Sequence, residues 1–276
     1  MNAMILAAGL GTRLRPLTDT RPKALVELAG RTLLEITLTR LRTFGVTEVI
    51  INVHHFADMV IDYLKANKNF GMRIEISREE VLLDTGGGLK KAAWFFLDDP
   101  SRLDDPFLLH NVDVISTIDL RRMLQFHTEN HALATLAVQN RETSRPLLFD
   151  DHLQLSGRPI DNKNTVISSE ARNLSSIQLQ ALAFSGIHVI SPRVLPMLTE
   201  EGVFSIITSY LRLAAQGQKN PRLPRRPILL ARPRPSRRPH PSRPRPGKRV
   251  ACRRLTFRLT RFLPRPTLES QGRLWN

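Results

Sequence analysis

Short apolar runs alternate along this chain with longer stretches in which apolar positions recur every three or four residues. Residues 3–6, 49–53, 73–77, 106–110, 132–138 and 183–190 carry the short runs and read as strands. Between them, Leu33, Leu34, Ile36, Leu38, Leu41 and Phe44 give a helix a broad apolar face. Thr32 stands before it as N-cap with Glu35 placed to reach back, and Gly45 ends it. Residues 56–65, 89–97, 119–131 and 205–216 read as further helices, with Gly217 as the last stop, and Pro192 opens a short one. Strands alternating with helices predict an α/β fold whose mostly parallel sheet is covered on both faces. Ligands in such sheets sit at the carboxyl ends of strands.

The 276 residues suffice for one large α/β domain or two small ones, and 41% hydrophobic residues are enough for a sizeable core. No apolar run approaches membrane-spanning length, and the first residues enter a strand with no charged-then-apolar leader. A cytoplasmic protein with no membrane partner is therefore expected. The single cysteine, Cys252, excludes an intramolecular disulfide and a cysteine-rich zinc site. Charge divides the chain. Of 41 Lys+Arg and 25 Asp+Glu, residues 219–276 hold 18 and one, so residues 1–218 hold 23 and 24 and are almost neutral.

The most informative stretch follows the first strand: Leu6-Ala7-Ala8-Gly9-Leu10-Gly11-Thr12-Arg13, continuing through Arg15 and Pro16 to Pro22 and Lys23. A buried strand feeding a glycine-rich turn brings backbone N–H groups close to a ligand with no side chain in the way. Amides facing one way attract an anion, and phosphate is the usual one. The stretch lacks the Gly-Lys-Ser/Thr ending of a P-loop and the third glycine of a dinucleotide fingerprint. Residues 78–91 form a second such segment, with Gly86, Gly87 and Gly88 at a helix start. Asp113 follows the strand 106–110, where a carboxylate can hold a hard cation such as Mg²⁺. His127 and His131 lie four apart, yet with no third ligand they read as a solvated helix face. Adjacent His54 and His55 are assigned no chemistry.

From Leu6 to Lys23 the chain resembles the signature of the sugar-1-phosphate nucleotidyltransferases, L-A-A-G-x-G-T-R-x-x-P-x-T followed by P-K. The resemblance implies a three-layer, Rossmann-like nucleotidyltransferase fold. It implies nucleotide binding by Leu6, Ala7, Ala8, Gly9, Gly11, Thr12, Arg13 and Lys23, with Gly86 and Gly87 against the base edge and Glu79 beside the pocket. Asn111 and Gly186 would lie near the sugar phosphate. Arg13, Lys23 and Asp113 would be catalytic, Asp113 holding the Mg²⁺ that bridges the two substrates. Val112 replaces a usual glycine, a departure with room to crowd base or sugar that is counted as tolerable. The partners implied are a nucleoside triphosphate, UTP before GTP, and a sugar 1-phosphate. Through the Asp84–Gly88 segment and the short body the chain resembles the N-acetylmuramate 1-phosphate uridylyltransferases, and that resemblance implies a role in nucleotide-sugar biosynthesis for the cell wall. Mannose-1-phosphate guanylyltransferases share most of the same residues.

The resemblance covers residues 1–218, with an inserted or loose loop expected over 158–180. It stops where the family carries Trp-x-Asp-x-Gly-Thr, whose Asp is a second metal ligand; no aspartate follows Asp161 here. Eleven prolines among residues 219–276 block helix and sheet, so a disordered basic tail is expected. Two readings of it stay open: an arm binding nucleic acid or another polyanion by counterion release, or a C-terminus replaced by translation in another frame. A catalytically impaired relative that only binds nucleotide is the rival to the enzyme.

Overall fold

A computed structural model describes residues 1–160, 164–167, 179–217 and 228–231. All of these belong to one compact unit, Met1–Pro235. Four parallel strands form its centre in the order β5-β4-β1-β6: β1 is Asn2–Leu6, β4 Glu48–Val53, β5 Arg73–Arg78 and β6 Phe107–Asn111. Long β11 (Gln180–Ile190) enters antiparallel beside β6 and then pairs with β7 (Ala134–Gln139). A small hairpin, β2 (Glu27–Leu28) and β3 (Arg31–Thr32), stands apart.

Period-two alternation sends the two sides of each strand into separate cores. Ala3 and Ile5 of β1 pack with α1 (Leu33–Thr43), α2 (Ala57–Ala66) and α5 (Leu120–Glu129) through Leu38, Val60 and Met123. Met4 and Leu6 pack on the other face with α3 (Asp84–Lys91), α4 (Trp94–Leu97) and α6 (Ile206–Gly217) through Leu89, Phe96 and Tyr210. This is the three-layer α/β architecture expected. No helix among the described residues is long and apolar enough to cross a membrane.

Several local expectations change. Thr32 does cap α1, accepting from Glu35 N at 3.0 Å, but the Glu35 carboxylate accepts from Arg31 Nε at 2.7 Å instead of closing a capping box. The three glycines lie inside α3, which begins at Asp84 rather than Leu89. Strands β8 (Leu147–Phe149), β9 (Leu155–Ile160) and β10 (Asn164–Ile167) extend β11 as an antiparallel ladder, and the end of β9 with all of β10 falls in the region 158–180 read as a loop. Residues 161–163 and 168–178 of that region lie outside the described residues. In the basic segment, residues 228–231 (Ile-Leu-Leu-Ala) pair as β12, parallel to β7. They are the one apolar break in the Arg-Pro run between 221 and 246. The rest of residues 218–276 lies outside the described ones.

Candidate active site

The carboxyl ends of β1, β4 and β6 meet where the first glycine loop begins. The carbonyl of Leu6, last residue of β1, accepts from Val112 N at 3.1 Å. Ala7 N and Ala8 N donate to one oxygen, Asn52 Oδ1, at 2.7 and 3.4 Å. Beyond them, the amides of Gly9, Leu10, Gly11 and Thr12 have no partner among the described residues. Gly11 sits at φ +66°, and a Cβ there would lie 2.8 Å from Lys23 Cβ and 2.9 Å from Thr18 Cγ2. Only glycine combines that left-handed backbone with so close an approach. Thr18 Oγ1 donates to the Gly11 carbonyl at 3.0 Å and holds the turn. The result is a row of open N–H groups, which suits the oxygens of a phosphate chain.

Two charges face this row. Lys23 follows Pro22, and its Nζ lies 3.4 Å from Asp113 Oδ2; the two side chains are 14% and 29% exposed. The same Nζ is 3.4 Å from where a Cβ on Gly9 would stand, so the ammonium runs beside the loop. Asp113 has no other hydrogen-bond partner or ion pair among the described residues. Arg13, in the turn Thr12–Leu14, is exposed and makes no hydrogen bond or ion pair with a described residue. Its guanidinium is therefore available to a ligand.

Asn111 and Gly186 are neighbours. Gly186 lies in a β11 bulge at φ +73°, and a Cβ there would be 2.8 Å from Asn111 Nδ2. The side chain of Val112, in contrast, is fully buried in the core on the α1 side. Alternation from Leu108 through His110 puts it there, so it does not crowd a ligand.

The second glycine segment serves packing as well as any ligand. Gly86 N and Gly87 N both donate to the Phe204 carbonyl, at 2.9 and 3.3 Å. A Cβ on Gly86 would be 2.3 Å from the Phe204 ring, and one on Gly87 would be 2.5 Å from Gly202 O. Those two amides are thus taken up within the chain. Glu79 is buried, its carboxylate accepting from Asn52 Nδ2 at 2.7 Å and from Leu83 N at 3.0 Å. Its backbone carbonyl meets His54 Nδ1 at 2.9 Å, giving that histidine a structural contact.

His127 is a correction: it is buried, with Nδ1 2.9 Å from Thr135 Oγ1, and burial lowers its pKa to about 4. The α5 face turned to β7 is the apolar one, and His127 shares it with Met123. No cluster of three or more His, Cys, Asp or Glu suited to a metal occurs among the described residues.

Residues 2–147 match the family model described as nucleotidyl transferase. The N-acetylmuramate alpha-1-phosphate uridylyltransferase of Caulobacter vibrioides is 34% identical over 228 residues, 78% of this chain and 85% of that protein. The chain belongs to the sugar-1-phosphate nucleotidyltransferase family. A mannose-1-phosphate guanyltransferase of Aspergillus fumigatus is 36% identical, over 50% of this chain and 37% of that protein. Among solved structures, HddC from Yersinia pseudotuberculosis complexed with GMP-PN superposes with a TM-score of 0.61 at 18% identity, over 84% of this chain and 90% of that one. At that identity the likeness concerns the fold.

Two groups at this site escaped the reading of the sequence. Asn52 is the one polar residue inside the apolar run 49–53, and that interruption was its signal. Phe204 had none, because its role comes from α3 being folded beneath it.

Proposed function

We propose that the protein transfers a nucleoside monophosphate from a nucleoside triphosphate, UTP in preference and GTP next, to a sugar 1-phosphate, releasing pyrophosphate. The observation that carries this is the Lys23–Asp113 pair set beside four loop amides that have no partner among the described residues. A phosphate oxygen of the sugar 1-phosphate attacks the α-phosphorus; the new P–O bond forms as the bond to pyrophosphate breaks. The nucleophile is already ionised, so no general base is required, and the protein's work is positioning and charge neutralisation.

In this reading the Gly9–Thr12 amides and Arg13 hold the triphosphate. Lys23 neutralises charge between the α-phosphate and the incoming phosphate. Asp113 fits a Mg²⁺ ligand: it is a hard oxygen donor, partly exposed, with one oxygen that has no partner among the described residues. One carboxylate is within what Mg²⁺ accepts, because the ion keeps waters and takes substrate phosphates for its other positions. When bound, the metal supplies electrostatic relief of the phosphate charge.

The uridylyltransferase matched over 85% of its length supports UTP and N-acetylmuramate 1-phosphate as the first substrates to try. The test presents the full chain and Mg²⁺ with UTP, GTP, CTP or dTTP, each with N-acetylmuramate, mannose or glucose 1-phosphate. Products are identified by mass. UDP-N-acetylmuramate should dominate; GDP-mannose as main product would overturn the base and sugar assignment. A second reading, nucleotide binding without turnover, is favoured by the lack of any aspartate after Asp161. Folded protein that binds UTP and forms no nucleotide sugar would establish it instead.

A further inference from the structure

A buried polar chain joins the two glycine segments. It starts at Ala7 and Ala8, whose amides donate to Asn52 Oδ1, and passes through Asn52 Nδ2 to Glu79 Oε1 at 2.7 Å. It ends at Leu83, whose amide donates to Glu79 Oε2 at 3.0 Å just before α3. Both residues are nearly inaccessible, at 3% exposure each. The backbone of Glu79 is fixed as well, with N donating to Val53 O at 2.8 Å and O meeting His54 Nδ1. The third glycine belongs to the same unit: a Cβ on Gly88 would lie 2.7 Å from Glu79 Oε1 and 2.8 Å from Asn52 Nδ2.

We propose that Asn52 and Glu79 are positioning residues for the nucleotide, setting the phosphate-side loop and the glycine helix at one fixed separation. This rests on the nucleotide-site reading above. The donor and acceptor roles dictate the arrangement. Ala7 and Ala8 require an acceptor, Leu83 requires an acceptor, and the link between the two side chains therefore needs one donor. An amide opposite a carboxylate meets all three demands with one net charge. Neither side chain touches the reacting phosphates; both act through the amides they hold.

That accounting gives a test by reversal. Asn52→Asp sets two carboxylates 2.7 Å apart, and Glu79→Gln leaves one acceptor too few. The double variant Asn52→Asp/Glu79→Gln restores every bond with the central donor on the other side. Equilibrium dialysis of labelled UTP and steady-state kinetics with UTP and N-acetylmuramate 1-phosphate read the effect, alongside thermal unfolding. Each single variant should weaken UTP binding and raise its KM by roughly tenfold or more, from one lost charged hydrogen bond. KM for the sugar 1-phosphate should move far less, and the double variant should recover most of the UTP affinity.

Single variants that unfold cooperatively and bind UTP as the wild type does would overturn the proposal. So would a double variant no better than the weaker single, or equal losses for both substrates. Wild-type protein that binds neither UTP nor GTP marks a different failure: the nucleotide-site reading falls, and the positioning role with it. The dialysis arm separates the two, since it needs no turnover.

Discussion

Replacing Gly11 by alanine tests the glycine loop through two separable costs. The backbone at φ +66° penalises an L-residue by about 1–2 kcal/mol. The new methyl would also stand 2.8 Å from Lys23 Cβ and 2.9 Å from Thr18 Cγ2. Lys23 Cβ is tied to its own backbone and Thr18 is buried, so neither can swing aside as the tip of a long side chain would. Overpacking of this kind costs about 1–3 kcal/mol, for a total of roughly 2–5 kcal/mol. Gly30→Ala is the control. Gly30 has φ +77° with no heavy atom within 4 Å of a Cβ, so it carries the backbone cost alone. Urea unfolding of the three proteins measures both terms, and the difference between the variants is the packing term. The same crowding displaces Lys23, so turnover of Gly11→Ala should fall while Gly30→Ala retains it. A Gly11→Ala protein as stable as Gly30→Ala, with unaltered turnover, would refute the account of the loop.

The other consequences concern the second glycine segment, the β11 bulge and the buried histidines. Gly86→Ala would press on the Phe204 ring and on Ile206 N, the latter at 2.9 Å, and should lower stability by about 1–3 kcal/mol in urea unfolding. Gly186→Ala should push Asn111 and raise KM for the sugar 1-phosphate more than KM for UTP, as steady-state kinetics would show. Burial holds His110 and His127 near pKa 4 and His188 near 3, with His110 adding to the effect at His188. The unfolded chain, near 6.5, then binds more protons between those values, so stability is complete above about pH 6.5 and falls on acidification. Each histidine contributes at most about 1.4 kcal/mol per pH unit there, so unfolding midpoints should drop steeply from pH 6.5 to 5; flat midpoints would contradict the burial.

Local signals were legible where the physics was local. The strand before Ala7, the glycine loop and Thr32 as cap could all be read from neighbours in sequence. The strand-end position of Asp113 was readable too, but its pairing with Lys23 required the parallel placement of β1 and β6. What escaped depended on distant partners. The start of α3 was misplaced because glycines carry no helical signal of their own. Their place is set by Phe204 and Gly202, more than a hundred residues onward. Val112 was legible in principle, since alternation from Leu108 already put it on the core side. His127 was read as solvated because one polar ring on a helix says nothing of the Thr135 hydroxyl that receives it. Polar, irregular sequence hid β9 and β10, which pair at the end of the ladder and need little apolar content.

The central claim is that Lys23 and Asp113, beside the open loop amides, carry out transfer. Its most direct test is pyrophosphate release by the full chain with UTP and N-acetylmuramate 1-phosphate, in Mg²⁺ and in EDTA, with Asp113→Ala and Lys23→Ala for comparison. The account predicts Mg²⁺-dependent release by the wild type and a loss of about a hundredfold or more in each variant, the scale of removing a charged group that stabilises a transition state. Release that is equal with and without Mg²⁺, or unchanged in folded Asp113→Ala, would contradict it.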